Sequence, residues 1–183
     1  MDIDVEAPVN LDLMNQALAQ VQRERPDVTV SFTLMVQGED YGLTPQLGVD
    51  VLKNAKQNGV RVDIVNPMAM EFGTISPDYG DAVINAAKAV LVQMKEIWPE
   101  KSDADLKKML GVTPMIGNNF SGKVFELAHA RKLVEWAKTE RIGLLAFWSI
   151  ERDNGGCRGQ VSPYCSGVDQ REYEFTQIFK GFQ

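Results

Sequence analysis

The sequence is poor in the residues that most often bind metal ions. Its 183 residues include one histidine and two cysteines. The histidine, His129, falls in a helical pattern with no second ligand at metal-binding spacing, so we predict a helix-surface or packing residue. We therefore expect no metal ion and no cofactor in this protein.

A long apolar run and an excess of positive charge are also missing. No apolar stretch approaches the roughly 20 residues that span a bilayer, so we expect no membrane segment. No charged segment followed by an apolar one marks a leader, so we expect no signal peptide in this chain. Lysine and arginine together number 19 against 25 acidic residues, a formal net charge of -6. This balance argues against nucleic acid or an anionic membrane as the partner.

The two cysteines suggest a short loop disulfide. Cys157 and Cys165 flank residues 158–164, a stretch rich in Gly, Ser and Pro that has the composition of a loop. A disulfide there indicates an oxidising compartment, and two free thiols are the alternative. With 44% hydrophobic residues the chain is long enough to bury a sizeable core, so we expect one domain over residues 1–183.

The hydrophobic pattern alternates between strand and helix. Helical spacing predicts helices at residues 11–23, 45–58, 79–97, 103–110, 125–139 and 172–179. Short apolar runs predict strands at 28–36, 60–67, 111–117 and 143–150. With the opening run these make five β units in βα order, typical of parallel strands buried on both faces. An open doubly wound sheet and part of a closed eight-stranded barrel both fit this order.

Polar residues gather where the predicted strands end. Both α/β architectures place their sites at that edge, and the polar residues at the C-terminal ends of the strands favour the barrel. The residues are Glu6, Gln37, Glu71, Asn118, Asn119, Glu151, Arg152 and Asp153.

The opening run Asp-Ile-Asp-Val-Glu is the most informative of these features. On a strand, alternate side chains share a face, so Asp2, Asp4 and Glu6 would project together, with Ile3 and Val5 on the other side. Three neighbouring acids repel one another and shift their pKa values apart, which can keep one acid protonated near neutral pH. The alternative is a solvated acidic tail.

Three later segments end strands with unusual residues, and each has an ordinary structural explanation. Residues 65–73 (VNPMAMEFG) contain Met68 and Met70, and methionines are more often core fillers than site residues. Residues 111–120 (GVTPMIGNNF) end near two adjacent asparagines, which commonly form turns and caps. Residues 147–157 (FWSIERDNGGC) contain Trp148, usually a core residue, although an aromatic plane beside carboxylates also suits a sugar ring.

Taken together and in this order, the four segments resemble glycoside hydrolase family 18, the chitinases and their relatives. DIDVE resembles the last five positions of the family signature DxxDxDxE, and VNPMAMEFG resembles its sixth-strand segment. GVTPMIGNN and FWSIERDNGGC, followed by YCSG at residues 164–167, resemble the seventh- and eighth-strand segments of a bacterial subgroup. The resemblance runs through the whole chain.

This resemblance implies a fold, a reaction and a set of site residues. The fold is the C-terminal part, strands four to eight, of a (β/α)₈ TIM barrel, and the reaction is substrate-assisted, retaining hydrolysis of chitin or N-acetylglucosamine oligomers. Glu6 matches the general acid, Asp4 the neighbour that holds the acetamido group, and Asp2 the acid that shares a proton with Asp4. Met68 matches a residue beside the bound sugar and Trp148 the floor of the sugar site. The parent protein would be secreted.

The sequence departs from the family pattern at the sixth strand. Where the family has Tyr or Met followed by Asp, this chain has Met70 and Glu71. Both are expected in the substrate site, although Met70 lacks a tyrosine hydroxyl and Glu71 carries one extra methylene. The first Asp of DxxDxDxE would precede Asp2 by three residues and lies outside the sequence.

Strands one to three of such a barrel are not in this sequence, which leaves three hypotheses for its function. A half barrel has unpaired edges, so we expect a homo-oligomer or pairing with a complementing barrel half. The chain is then a chitinase-like hydrolase that retains its acid, or an inactive scaffold that folds by oligomerising. The third hypothesis is a chitooligosaccharide-binding module that uses Trp148 and the acidic cluster.

Overall fold

The computed structural model describes residues 1–182, in which parallel strands alternate with helices, so the predicted α/β class is confirmed. The helices are α1 (Leu11–Glu24), α2 (Asp50–Gln57), α3 (Tyr79–Ile97), α4 (Asp103–Met109), α5 (Leu127–Glu140) and α6 (Glu174–Phe179). A π-helical turn at Pro45–Val49 leads into α2, and 3₁₀ turns occupy Ile150–Arg152 and Lys180–Phe182. None of the helices in this part of the chain is long and apolar enough to cross a membrane.

The strands are short, and most of them run parallel. They are β1 (Asp2–Val5), β2 (Ser31–Gly38), β3 (Gly42–Leu43), β4 (Ile64–Met68), β5 (Gly111–Val112), β6 (Gly117–Asn118), β7 (Val124–Phe125) and β8 (Leu144–Leu145). β1 and β4 lie parallel to β2 on its two sides, and β5 lies parallel to β8. β3 turns back antiparallel against β2, and β6 pairs antiparallel with β7.

Two isolated bridges connect β4 to the β5 segment, so the parallel strands lie side by side as β1–β2–β4–β5–β8, which is also their order along the chain. Val65 bridges Leu110 and Met68 bridges Thr113, both in parallel. The Thr113 N–H donates to the Pro67 carbonyl at 3.0 Å. Because all these strands point the same way, the residues after β1, β4 and β8 emerge at one edge of the sheet.

The two faces of the strands differ in polarity. Val5 of β1, Phe32 and Leu34 of β2 and Val65 of β4 are buried in the hydrophobic core with residues of the surrounding helices. The alternate positions form the opposite face, which carries Asp2, Asp4, Ser31, Thr33, Met35, Asn66 and Met68. This alternation follows from the period of two along a strand, and it places the carboxylates on the less covered face.

Local capping explains why several helix starts were predictable. The side chains of Asn10, Asp78 and Ser102 accept backbone N–H groups in the first turns of α1, α3 and α4, respectively. These side chains satisfy donors that the first turn of a helix leaves unpaired. The predicted bounds of α3, residues 79–97, agree with the structure.

The predicted strands were too long, and three short strands were not predicted. The run at 60–67 pairs only from Ile64 onward, and the runs at 111–117 and 143–150 shrink to two-residue strands with isolated bridges beyond them. β3, β6 and β7 belong to hairpins, and the first hairpin turns at residues 39–41, directly before Gly42, which has φ 83°. Apolar propensity marks an extended segment, but pairing depends on where the neighbouring strand lies.

Candidate active site

Asp2 and Asp4 stand on a strand, as the alternation predicted, so the alternative of a solvated acidic tail is wrong. β1 pairs in parallel register with β2, with Asp2 opposite Ser31 and Asp4 opposite Thr33. Asp2 and Asp4 therefore share one face, and Glu6 follows the strand directly at its C-terminal end. All three acids are solvent-exposed. A row of three carboxyl groups thus leads toward the edge where the strand ends.

The carboxylate of Asp2 is held by hydroxyl groups of β2. Ser31 Oγ donates to Asp2 Oδ1 at 2.5 Å, and Thr33 Oγ1 lies 2.9 Å from Oδ2 and 3.1 Å from Oδ1. Hydrogen bonds to a carboxylate limit its rotamers and compensate part of its desolvation. Asp2 is thereby oriented by the neighbouring strand.

The pKa of the Asp4 carboxyl is raised above its ordinary value. Partial desolvation by the neighbouring strand residues is the largest cause, although Asp4 as a whole is exposed, and the negative charge of Asp2 adds to it. Both effects disfavour a second carboxylate beside the first. The direction agrees with the expectation that neighbouring acids on this strand favour a protonated member.

Trp148 lies after β8 and presents its ring to solvent rather than to the core. Trp148 is 40% exposed, and it forms a parallel bridge with Met115. The guanidinium carbon of Arg152 lies 5.3 Å from the ring centroid. An exposed indole that is held from one side by a cation is suited to stack on a flat ligand.

Met68 and Met70 are both half-buried, and they stand on either side of a strand end. Met68 is the last residue of β4 and is in register with Met35 of β2. Met70 lies just beyond the strand, where its N–H donates to the Met68 carbonyl at 2.9 Å. Neither methionine is a fully buried core filler, and Met68 lies on the face of the strands that carries the acids.

Glu71 is turned toward a loop in this structure. Its carboxylate accepts the backbone N–H groups of Phe120 and Ser121, at 2.9 and 2.8 Å. Its own N–H donates to Asn119 Oδ1 at 3.3 Å, and its backbone has φ 59°. Glu71 therefore anchors the loop after β6, a role that the sequence analysis did not anticipate.

Arg152 was named in the sequence analysis only as one of several polar residues at strand ends. It is fully buried, and its guanidinium donates to the carbonyls of Ile116 (2.8 Å), Asn118 (2.7 Å) and Ser162. Burial lowers its pKa, an effect that the negative charge of Glu71 opposes. Arg152 joins the segment around β6 to the loop that carries the disulfide.

The predicted disulfide is present, and a buried aspartate supports the same region. Cys157 is bonded to Cys165, which is buried. Asp153 is also buried, and it accepts the N–H groups of Phe175 and Thr176 at the start of α6, at 3.0 and 2.7 Å. The stretch from Arg152 to Cys165 is thus tied to the last helix as well as to β6.

His129 has a structural role in the described contacts. Its Nδ1 accepts the Glu126 N–H at 3.1 Å, and its Nε2 lies 3.6 Å from Asp78 Oδ1. In residues 1–182, no three side chains of the metal-binding types come close enough together to hold an ion.

A solved structure matches this arrangement over nearly the entire chain. The catalytic domain of a hyperthermophilic chitinase from Pyrococcus furiosus aligns with 99% of the chain at 42% identity and a TM-score of 0.90. The chain belongs to the chitinase family, glycoside hydrolase family 18. The expected family is therefore confirmed.

Two curated family 18 relatives match as well. A probable bifunctional chitinase/lysozyme of Escherichia coli K12 is 32% identical over 204 residues, covering 100% of this chain. Endochitinase 11 of Metarhizium anisopliae is 33% identical over 172 residues, covering 84% of this chain. No family model matches the chain.

The chain spans only part of each of these chitinases. It covers 59% of the Pyrococcus furiosus chain, 22% of the Escherichia coli protein and 32% of the Metarhizium anisopliae protein. A further Pyrococcus furiosus structure is of catalytic-site mutants complexed with chito-oligosaccharides. Because of this partial coverage, the activity and ligands of these longer proteins are assigned to the present chain only as a proposal.

Proposed function

We propose that this chain carries the acid-bearing part of a chitinase and hydrolyses β-1,4-linked N-acetylglucosamine oligomers. The observation that carries the proposal is β1, which aligns Asp2 and Asp4 on one face and delivers Glu6 to the sheet edge. Family membership and the structures of a relative with chito-oligosaccharides support this substrate class. The proposal assigns catalysis to Glu6, Asp4 and Asp2.

In the proposed mechanism the substrate provides its own nucleophile. Glu6 donates a proton to the glycosidic oxygen while the bond between C1 and that oxygen breaks. The acetamido oxygen of the same sugar forms a bond to C1, which produces an oxazolinium ion. Asp4 accepts the acetamido N–H, and the charge of Asp2 beside it favours a shared proton on the pair. Water then attacks C1 while the bond between C1 and the acetamido oxygen breaks, and Glu6 takes up the proton that the water releases.

The same model assigns the substrate contacts to three elements. Trp148, with its exposed ring, would support the flat face of the sugar. Met68 and Met70, half-buried at the end of β4, would line the side of the site. Glu71 would act through the loop that it anchors, because both of its oxygens already accept backbone N–H groups.

We further propose that the fold is the C-terminal half of a TIM barrel, forming one domain over residues 1–183. The parallel order from β1 to β8 corresponds to strands four to eight, and the coverage of 59% of the matched chain supports the same division. The disulfide supports secretion of the parent protein, because such bonds persist in oxidising compartments.

The stereochemistry of the product tests the mechanism. If the acetamido oxygen attacks C1 first and water attacks second, the configuration at C1 is inverted twice and thus retained. We expect proton NMR of a reaction with N-acetylglucosamine tetramer to show the β-anomer of the new reducing end before mutarotation. Initial formation of the α-anomer would contradict the mechanism.

The same preparation separates the alternatives. If no turnover occurs, but the oligomer changes the fluorescence of the tryptophans, the chain is a chitooligosaccharide-binding module. If neither is observed, the chain is a scaffold. Either result would overturn the proposal that the chain is a hydrolase.

The open strand edges predict association. In residues 1–182, β1 pairs only with β2 and β8 only with β5, so one side of each strand has unpaired backbone groups. Such edges template pairing with another strand. We expect sedimentation velocity at micromolar concentration to show a homo-oligomer, and addition of a complementing barrel half to replace it with a one-to-one complex. A monodisperse monomer under both conditions would contradict this prediction.

A further inference from the structure

A line of hydrogen bonds crosses four neighbouring segments on the face that carries the acids. Thr113 Oγ1 donates to Asn66 Oδ1 at 2.8 Å, and Asn66 Nδ2 donates to Thr33 Oγ1 at 3.1 Å. Thr33 Oγ1 in turn lies 2.9 Å from Asp2 Oδ2. These side chains come from the end of β5, from β4, from β2 and from β1.

The donors in this line all point toward Asp2. A threonine hydroxyl has one proton to donate and can accept at its lone pairs. Because the Asn66 amide donates to Thr33, the hydroxyl of Thr33 accepts from one side and keeps its proton for the other. That proton is then available for the Asp2 carboxylate.

The amide of Asn66 is itself held in one orientation. Thr113 supplies a hydroxyl proton to its oxygen, which leaves the nitrogen facing Thr33. Gly111 provides the space, because a Cβ at that position would lie 2.9 Å from Asn66 Oδ1. The backbone of the adjacent strand is therefore shaped around this amide.

The three side chains that lead to Asp2 are buried although they are polar. Thr33, Asn66 and Thr113 are exposed by 9%, 7% and 9%, respectively. Apolar residues of similar size would pack there without any hydrogen-bonding requirement, and such replacements are often neutral or stabilising. Stability alone therefore gives no reason for a polar line that ends on a carboxylate.

We propose that Thr33 and Asn66 are positioning residues of the site, which orient the Asp2 carboxylate beside Asp4 through a directed line of hydrogen bonds. This inference rests on the proposed function and adds residues from β2 and β4 to the catalytic strand. β2 and β4 place no charged residue on this face, which carries Ser31, Thr33 and Met35 from β2 and Ile64, Asn66 and Met68 from β4. Asp4 is therefore the charged neighbour of Asp2 on β1.

The experiment compares Thr33→Val, which removes the hydroxyl at nearly constant shape, with Thr33→Ser, which keeps it. We expect Thr33→Val to lower kcat about tenfold with KM within about twofold, and Thr33→Ser to restore most of kcat, as for one hydrogen bond to a charged group. Thr44→Val is the matched control, because the buried Thr44 hydroxyl has no hydrogen-bond partner within residues 1–182. It should leave kcat unchanged.

A second variant tests the direction of the line. Asn66→Asp is nearly isosteric but replaces the donor to Thr33 by an acceptor, so two carboxyl groups compete for one hydroxyl proton. We expect a loss of kcat similar to that of Thr33→Val, and no further loss in the double variant, because Asn66 acts through Thr33. Additive losses would overturn the directed line.

A readout without turnover separates this inference from the proposed function. Carbon NMR of the aspartate carboxyl groups in the free protein, at one fixed pH, reports the environment of the Asp2 carboxylate. We expect Thr33→Val to change the chemical shift of the Asp2 carboxyl carbon, because a hydrogen-bond donor to the carboxylate is lost, and Thr33→Ser and Thr44→Val to leave it in place. An unchanged Asp2 chemical shift in Thr33→Val overturns the inference, whether or not the chain hydrolyses its substrate.

Discussion

Glu6→Gln should lower kcat for chito-oligosaccharides by about 100- to 10,000-fold, the range for loss of a general acid. Glutamine keeps the shape of the side chain but has no acidic proton for the leaving oxygen. Glu6 is solvent-exposed, so the change should alter the free energy of unfolding by less than about 0.5 kcal/mol. A reducing-end assay gives kcat, and urea unfolding confirms that the variant is folded.

A substrate whose leaving group needs no proton shows whether the step lost in Glu6→Gln is protonation of the leaving oxygen. An oligomer with a 4-nitrophenolate leaving group needs little protonation, so the loss of rate in Glu6→Gln should be much smaller for that substrate. Glu151→Gln is the matched control, because Glu151 is an exposed glutamate in the turn that follows Trp148. It should retain the wild-type rate. Equal rates for wild type and Glu6→Gln on the natural oligomer would exclude Glu6 as the acid.

Arg152→Met should reduce the free energy of unfolding by about 3 kcal/mol or more, because buried acceptors lose charged donors. The guanidinium is buried and donates hydrogen bonds to the carbonyls of Ile116, Asn118 and Ser162. The thioether of methionine has no donor, so these three carbonyls would lose their hydrogen bonds to the side chain. The midpoint of urea unfolding, with an unchanged slope, measures the effect. The loss of the cation beside the Trp148 ring should also raise KM.

Two further arginine variants make this prediction specific. Arg152→Lys keeps the charge, but lysine lacks the planar fork of donors with which arginine contacts several carbonyls at once. Its free energy of unfolding should therefore lie between those of wild type and Arg152→Met. Arg158→Met removes an exposed arginine that pairs with Asp169 on the surface, and should change stability by less than about 1 kcal/mol. If Arg152→Met and Arg158→Met unfold at the same urea concentration, the buried guanidinium has no special stabilising role.

The fold was predictable where the signal is local. α3 spans a long apolar pattern between the capping residue Asp78 and Pro99, and its predicted bounds were correct. The disulfide followed from two cysteines around a loop-like stretch. By contrast, β5 and β8 are two residues long, since pairing depends on the neighbouring strand and not on apolar propensity.

The candidate site, like the fold, was predictable only where the signal is local. The spacing of Asp2, Asp4 and Glu6 was sufficient to predict a strand with acids on one face. The loop role of Glu71 was not predictable, because its partners Phe120 and Ser121 lie 49 and 50 residues further along the chain. No local pattern relates residues at that distance.

The sequence by itself determined the family, the alternation of strands and helices, and the acids of the first strand. Each of these depends on neighbouring residues, through side-chain periodicity, capping and motif spacing. Only the tertiary structure decided that Arg152 is buried and that Thr33 and Asn66 connect to Asp2. The reason is physical, because a hydrogen bond depends on donor and acceptor positions that strands far apart in the chain define together.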